Sequence, residues 1–170
     1  MSISSPPAPL HYEDRDITGI LRGVKSIAMV GASANWVRPS NFAMKYLLGK
    51  GYKVIPVNPG HAGNEILGQM TYRTIADIPG TIDMVDIFRA SEAAGQTVDE
   101  VIEIAADKQI KIIWMQLGVR NDDAARRAEA TGMTVIMDRC PKIEYGRLFG
   151  ELGWSGVNSG IITAKRRRMV

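Results

Sequence analysis

The sequence predicts an α/β fold: a doubly wound parallel sheet of about five main strands with helices on both faces. Three observations lead there. Short apolar runs alternate with segments of helical periodicity along the chain. The runs IAMV, VIPV and KIIW are nearly continuous in apolar residues, which marks strands covered on both faces. Glycines and capping residues fall between the two kinds of segment, where a crossover has to turn. Right-handed crossovers then wind helices onto both sides of one open sheet, a Rossmann-like arrangement.

Each element has a local reason. Residues 13–23 form a short helix, with Ile17, Ile20 and Leu21 at helical spacing and Gly23 as its stop. Ser26–Val30 is the first strand. A helix follows from about Pro39 to Gly49 and is expected to bury Phe42, Ala43, Tyr46 and Leu47. Lys53–Val57 is the second strand. A short strand near Met70–Tyr72 and a helical turn near Thr74–Asp77 come next. The third main strand is Asp83–Phe88. Val98, Val101, Ile102 and Ala105 place a helix over about Gln96–Asp107. After the strand Lys111–Met115, Asn121 caps a helix reaching about Ala130. Its acids Asp122 and Asp123 come first and Arg126 and Arg127 later, as the helix dipole prefers. The strand Thr134–Met137 precedes a last helix that starts near Pro141 and reaches about Leu152.

At 170 residues the chain suits one domain with a real core. We read residues 1–12 as a loose arm rich in proline and serine, 13–155 as the domain, and 156–170 as a tail. No apolar run is long enough for a membrane span, and MSISSPPAPL lacks the basic start and apolar core of a secretory signal. The single cysteine, Cys140, excludes an internal disulfide and fits the cytoplasm. Lys165–Arg168 carry the excess basic charge; without them bases and acids nearly balance. The run has no interleaved aromatics and no basic stripe in the body, so a solvated end explains it better than a nucleic-acid or lipid anchor.

Ligands of such folds sit at the carboxyl ends of the strands. Those ends are Gly31–Ser33, Asn58–Gly60, Phe88–Ala90, Gln116–Gly118 and Asp138–Cys140. A glycine turn from a buried strand into a helix start attracts phosphate. NAD or NADP is the obvious occupant, but the three-glycine fingerprint would need glycine at Ser33 and Trp36, and Asn58-Pro59-Gly60 stands where an acid should meet the ribose. The phosphate-loop pattern ending in Gly-Lys-Ser/Thr is absent. Arg38 stands just before the helix start and can hold phosphate bidentately, with Ser40 and Asn41 beside it as caps or ligand contacts.

Taken together, VGAS with RPS, VIPVNP, Asp83–Phe88 with Arg89, WMQLG and MDRCPKIE resemble the small bacterial CoA-binding proteins, similar to the N-terminal domain of the succinyl-CoA synthetase alpha subunit. The resemblance spans roughly residues 15–150. It implies a site for CoA or an acyl-CoA without a catalytic residue. By position, Gly31, Ala32 and Ser33 would meet the diphosphate, with Arg38 and Ser40 adding charge and hydrogen bonds. Asn58 and Pro59 would lie at the adenosine end. Phe88, Arg89 and Ala90 would flank the path of the ribose, adenine or pantetheine, with Gln116, Leu117 and Gly118 further along. Trp36 departs from the pattern, as a stack for adenine or a cover for the sheet edge. Neither His11 nor His61 matches the synthetase's phosphohistidine, which belongs to a further domain.

The remaining residues carry little chemistry. A thiol before a helix start can be activated, but Cys140 is expected to pack. Glu144 and Tyr145 are expected on a partly exposed helix face, Asp138 and Arg139 in structural pairs, and Trp114 in the core. No paired carboxylates, metal-ligand spacing or nucleophile–base pair stand out in the sequence. The expected function is a non-catalytic CoA or acyl-CoA binding protein: a carrier, a sensor or a partner subunit. The alternatives are an NAD(P)-dependent oxidoreductase and a CoA-linked enzyme completed by another chain.

Overall fold

A computed structural model describes residues 5–150. In chain order it contains α1 (Asp14–Gly23), β1 (Ser26–Val30), α2 (Pro39–Gly49), β2 (Lys53–Val57), β3 (Glu65–Ile66), β4 (Gln69–Met70) and β5 (Met84–Ile87). Then follow α3 (Ser91–Lys108), β6 (Ile112–Met115), α4 (Asp122–Ala130), β7 (Thr134–Ile136) and α5 (Pro141–Leu148). The main sheet has five parallel strands in the order β2-β1-β5-β6-β7. The chain steps outward from β1 to β2, then returns across β1 to β5. The helices that follow β1 and β5 therefore leave to opposite faces and open a crevice between the two strand ends.

Alternating side chains build a core on each face. Ala28, Val30, Val85, Ile87, Ile113 and Met115 pack with Val98 and Val101 of α3 and Ala124 and Ala128 of α4. Ile27, Met29, Met84, Trp114 and Ile136 pack with Ile17 and Leu21 of α1 and Ala43, Met44 and Leu47 of α2. Tyr145 and Leu148 of α5 close over that second core. Trp114 is fully buried, as expected, and its indole N–H donates to the Arg139 carbonyl at 2.8 Å. The described part of the N-terminal stretch lies against the fold. Leu10 packs on the first core, the Met137 N–H donates to the Tyr12 hydroxyl, and Arg120 donates to the Ala8 carbonyl.

The structure corrects several local expectations. α3 begins at Ser91, ahead of the expected Gln96: the apolar stripe marks only the later turns, and the helix runs through Gly95. A Cβ on Gly95 would lie 2.8 Å from the Asn121 amide nitrogen, so glycine lets the α4 cap pack against α3. The strand expected near Met70–Tyr72 is the β3–β4 hairpin plus a lone bridge from Tyr72 to Val57. Thr74–Asp77 is a turn held by the Asp77 carboxylate, which accepts from the Thr74 N–H and hydroxyl. Phe42 is half exposed; Met44 takes its expected place in the core. α5 ends at Leu148, and the rest of the stretch expected to reach Leu152, like the 156–170 tail, extends outside the described residues.

Gly31 is the tightest backbone point. Its φ is +83°, and a Cβ there would sit 2.2 Å from the Phe88 carbonyl oxygen. Gly63 shares a left-handed φ of +86° but has open space around it. We expect Gly63→Ala to cost about 1–2 kcal/mol, the dihedral penalty alone. Gly31→Ala should cost roughly 2–4 kcal/mol, because backbone must shift as well. Urea unfolding of both variants checks this; equal losses would remove the special role of the β1–β5 contact.

Candidate functional site

The turn after β1 is braced from two sides. The Gly31 N–H donates to the Val57 carbonyl at 2.9 Å, which extends the β1–β2 ladder by one bond. The Asn58 amide donates to the Ala32 carbonyl at 2.8 Å, and the Asn41 amide to the Ser33 carbonyl at 2.9 Å. The next loop folds on itself: the Asn35 N–H donates to Ser33 Oγ, and the Val37 N–H to Asn35 Oδ1. This loop delivers Arg38 to the cap position of α2, with extended backbone and an exposed side chain.

Above the turn lies a cleft of about 910 Å³, within the range of small-molecule sites. Gly31, Ala32, Ser33, Arg38, Ser40, Asn58, Phe88, Arg89, Ala90, Gln116 and Leu117 all line it. Of the residues singled out from the sequence, Pro59 and Gly118 do not. Pro59 opens a short 3-10 turn beyond the rim. The Gly118 N–H donates to the Asp138 carboxylate at 2.7 Å, which joins the exits of β6 and β7. Asn58 lines the cleft, but both amide atoms already have partners: Ala32 on one side and the Gly60 N–H on the other. Trp36 is 75% exposed and does not line the cleft.

Sequence reasoning missed one wall. Cys140, Lys142 and Ile143, from the start of α5, line the cleft with Phe42 and Val119. The Asp138–Cys140 strand end pointed to this edge, but Lys142 lies two residues further, inside α5, and only packing brings it in. Three helices, α2, α3 and α5, thus begin at the cleft, and their N-termini favour anions. Arg38, Arg89 and Lys142 add positive charge, and no carboxylate is among the lining residues.

A buried polar pair underlies the floor. Asp86, on β5, is fully buried and faces the same side of the sheet as Trp114. Gln116 Nε2 donates to both Asp86 oxygens, at 3.0 and 3.1 Å. Burial raises the Asp86 pKa to about 7, and the Gln116 hydrogen bonds only partly counter it. Burial likewise pushes the Cys140 thiol up, which opposes thiolate formation and agrees with a packing role. Glu144 departs from the partly exposed face expected of it: it is buried and paired to Arg147 at 2.6 Å, with Arg147 also reaching Asp14. Tyr145 stacks on Phe149 and meets Tyr46 and Tyr52 edge-on. Among the described residues no helix is long and apolar enough to cross a membrane.

Known proteins are similar to this chain in sequence and fold. Residues 25–146 match the family model described as a CoA binding domain. The uncharacterized protein YneT of Bacillus subtilis is 36% identical over 130 residues, covering 76% of this chain and 92% of that protein. A hypothetical protein from Pyrococcus horikoshii is similar in structure, with a TM-score of 0.77 at 37% identity, over 86% of this chain and 99% of that one. A dinucleotide-forming acetyl-coenzyme A synthetase from Ca. Korarchaeum cryptofilum shares the fold. Its TM-score is 0.54 at 23% identity, over 68% of this chain and 27% of that one.

The buried Asp86 links stability to pH. Its folded pKa lies above the ordinary value of 3.8, so the folded protein holds this proton more tightly than the unfolded chain does. That stabilisation is complete below pH 3.8 and is lost as pH rises through about 7. Asp86→Asn should remove this dependence, gaining on the wild type by a few kcal/mol between pH 4 and pH 8, at about 1.4 kcal/mol per unit. Urea midpoints across that range test it; a constant difference would mean that Asp86 is ionised throughout.

Proposed function

This chain belongs to the CoA binding domain family, and from that premise we propose that its cleft binds CoA or an acyl-CoA without catalysing a reaction on it. The protein would act as a carrier, a sensor or the partner subunit of an enzyme. The observation that carries this reading is the charge pattern of the cleft: three cations, three helix starts and no lining carboxylate, at the crossover of β1 and β5. CoA brings a diphosphate and a further phosphate to such a site. Its long, mostly neutral pantetheine arm suits the apolar wall of Phe42, Leu117, Val119 and Ile143.

Nicotinamide dinucleotides also carry a diphosphate, but the end of β2 offers them no acid for the ribose. Asn58 is there instead, and it braces the turn. No nucleic-acid or membrane role is part of this reading. A reducing cytoplasm suits the unpaired Cys140. A partner chain that adds catalytic residues remains compatible with it.

We expect CoA to raise the melting temperature and NAD and NADP at equal concentration to leave it unchanged, since a ligand of the native state stabilises by mass action. Preferential stabilisation by a nicotinamide dinucleotide would reject the reading. Mass spectrometry of small molecules released on denaturing the purified protein gives an independent check.

Arg38→Ala should weaken CoA binding by about 1.5–3 kcal/mol, the range for a hydrogen bond to a charged group, with the fold intact because the side chain is exposed. Calorimetry that finds Arg38 neutral would move the phosphates away from the first turn.

A further inference from the structure

The pair beneath the cleft has a direction. A carboxylate, the form Asp86 takes as pH rises past about 7, only accepts hydrogen bonds, so in that form it fixes which end of the Gln116 amide turns inward. Nε2 faces Asp86, within hydrogen-bond distance of both its oxygens. Among the described residues Oε1 has no donor, yet it is not sealed: the one sealed, unpartnered side-chain atom among them is Thr71 Oγ1. Gln116 lines the cleft, and with Nε2 held by Asp86 the amide atom left to meet a ligand there is Oε1.

We propose that Gln116 is a specificity-determining residue that accepts a hydrogen bond from an amide N–H of the pantetheine arm, with Asp86 as the residue that positions it. The inference rests on the CoA reading above and assigns one part of the ligand to one part of the cleft. The helix start beside Arg38 and the Gly31 turn hold the phosphates at β1. Gln116 stands at the end of β6, two strands away, about 10 Å at the usual spacing. On the opposite side lies β2 with Asn58, where the CoA reading puts the adenosine end. The stretch of CoA that crosses β5 toward β6 is the pantetheine arm, which carries two secondary amides. An acceptor held rigidly there selects an amide-bearing arm over a nucleotide alone. An unpartnered amide that could rotate would present a donor as readily as an acceptor.

Titration calorimetry at pH 8, where Asp86 is charged, tests this with two probes: CoA and adenosine 3′,5′-bisphosphate. Gln116→Leu should lower CoA affinity about fivefold to tenfold, one hydrogen bond's worth, and leave the nucleotide's affinity unchanged. Asp86→Asn should act in the same direction, because its new N–H competes for Oε1. The double variant D86N/Q116E reverses donor and acceptor within the pair and returns an acceptor to the cleft. It should recover CoA affinity to within about threefold of the wild type. Should Gln116→Leu not fold, the other two variants still decide.

Wild-type CoA affinity in Gln116→Leu or Asp86→Asn, equal losses for both probes, or no recovery in the double variant would each overturn the assignment. A wild-type protein that binds no CoA would overturn the CoA reading and this inference with it. That outcome is distinct, because in every other arm the wild type binds.

Discussion

The absence of a side chain at Gly31 is the constraint on which the rest of the site depends. The Phe88 carbonyl occupies the place where any Cβ would stand, so the exits of β1 and β5 meet backbone to backbone. That contact lies where the sheet changes its direction of winding. The helices that follow turn to opposite faces, and the crevice they leave becomes the cleft. A side chain at Gly31 would push the strand ends apart.

Around that contact, polar side chains work mostly as braces. Asn41 and Asn58 hold the carbonyls of the turn, Asn121 ties α4 to the start of α3, and Asp138 joins two loops at the rim. With the backbone fixed, the groups that the proposed function leaves to meet an anion are helix N-termini and a few cations. Such a site needs little reorganisation when an anion arrives, because its dipoles already point inward. Asp86 is the exception among these groups. Its burial carries an electrostatic cost at neutral pH, which the Gln116 amide only partly offsets.

Much of this was legible because it is local. Apolar runs marked the strands, Pro39, Asn121 and Pro141 marked helix starts, and the doubly wound order followed from their alternation. Since all parallel strands end on one edge, locating the strands also located most of the cleft, from Gly31 to Gln116. The misreadings were local too. The apolar stripe placed the start of α3 near Gln96, but the helix begins at Ser91, where Gly95 leaves room for the Asn121 cap of the neighbouring helix. Glu144 looked like a surface acid until Arg147 and Asp14 were found around it.

By itself the sequence determined the order and type of the elements, the glycine turn and the anion-favouring helix starts, because periodicity and capping act over a few residues. Only the tertiary structure decided what crosses between elements. It swung Phe42 out of the core, brought Lys142 from α5 to a cleft founded on β1, and paired Asp86 with Gln116 across two strands. These outcomes depend on helix rotation and strand order, which the one-dimensional pattern of apolar and polar residues does not encode. The same pattern would have allowed Asp86 to face a helix, solvent or a ligand; strand adjacency chose an amide.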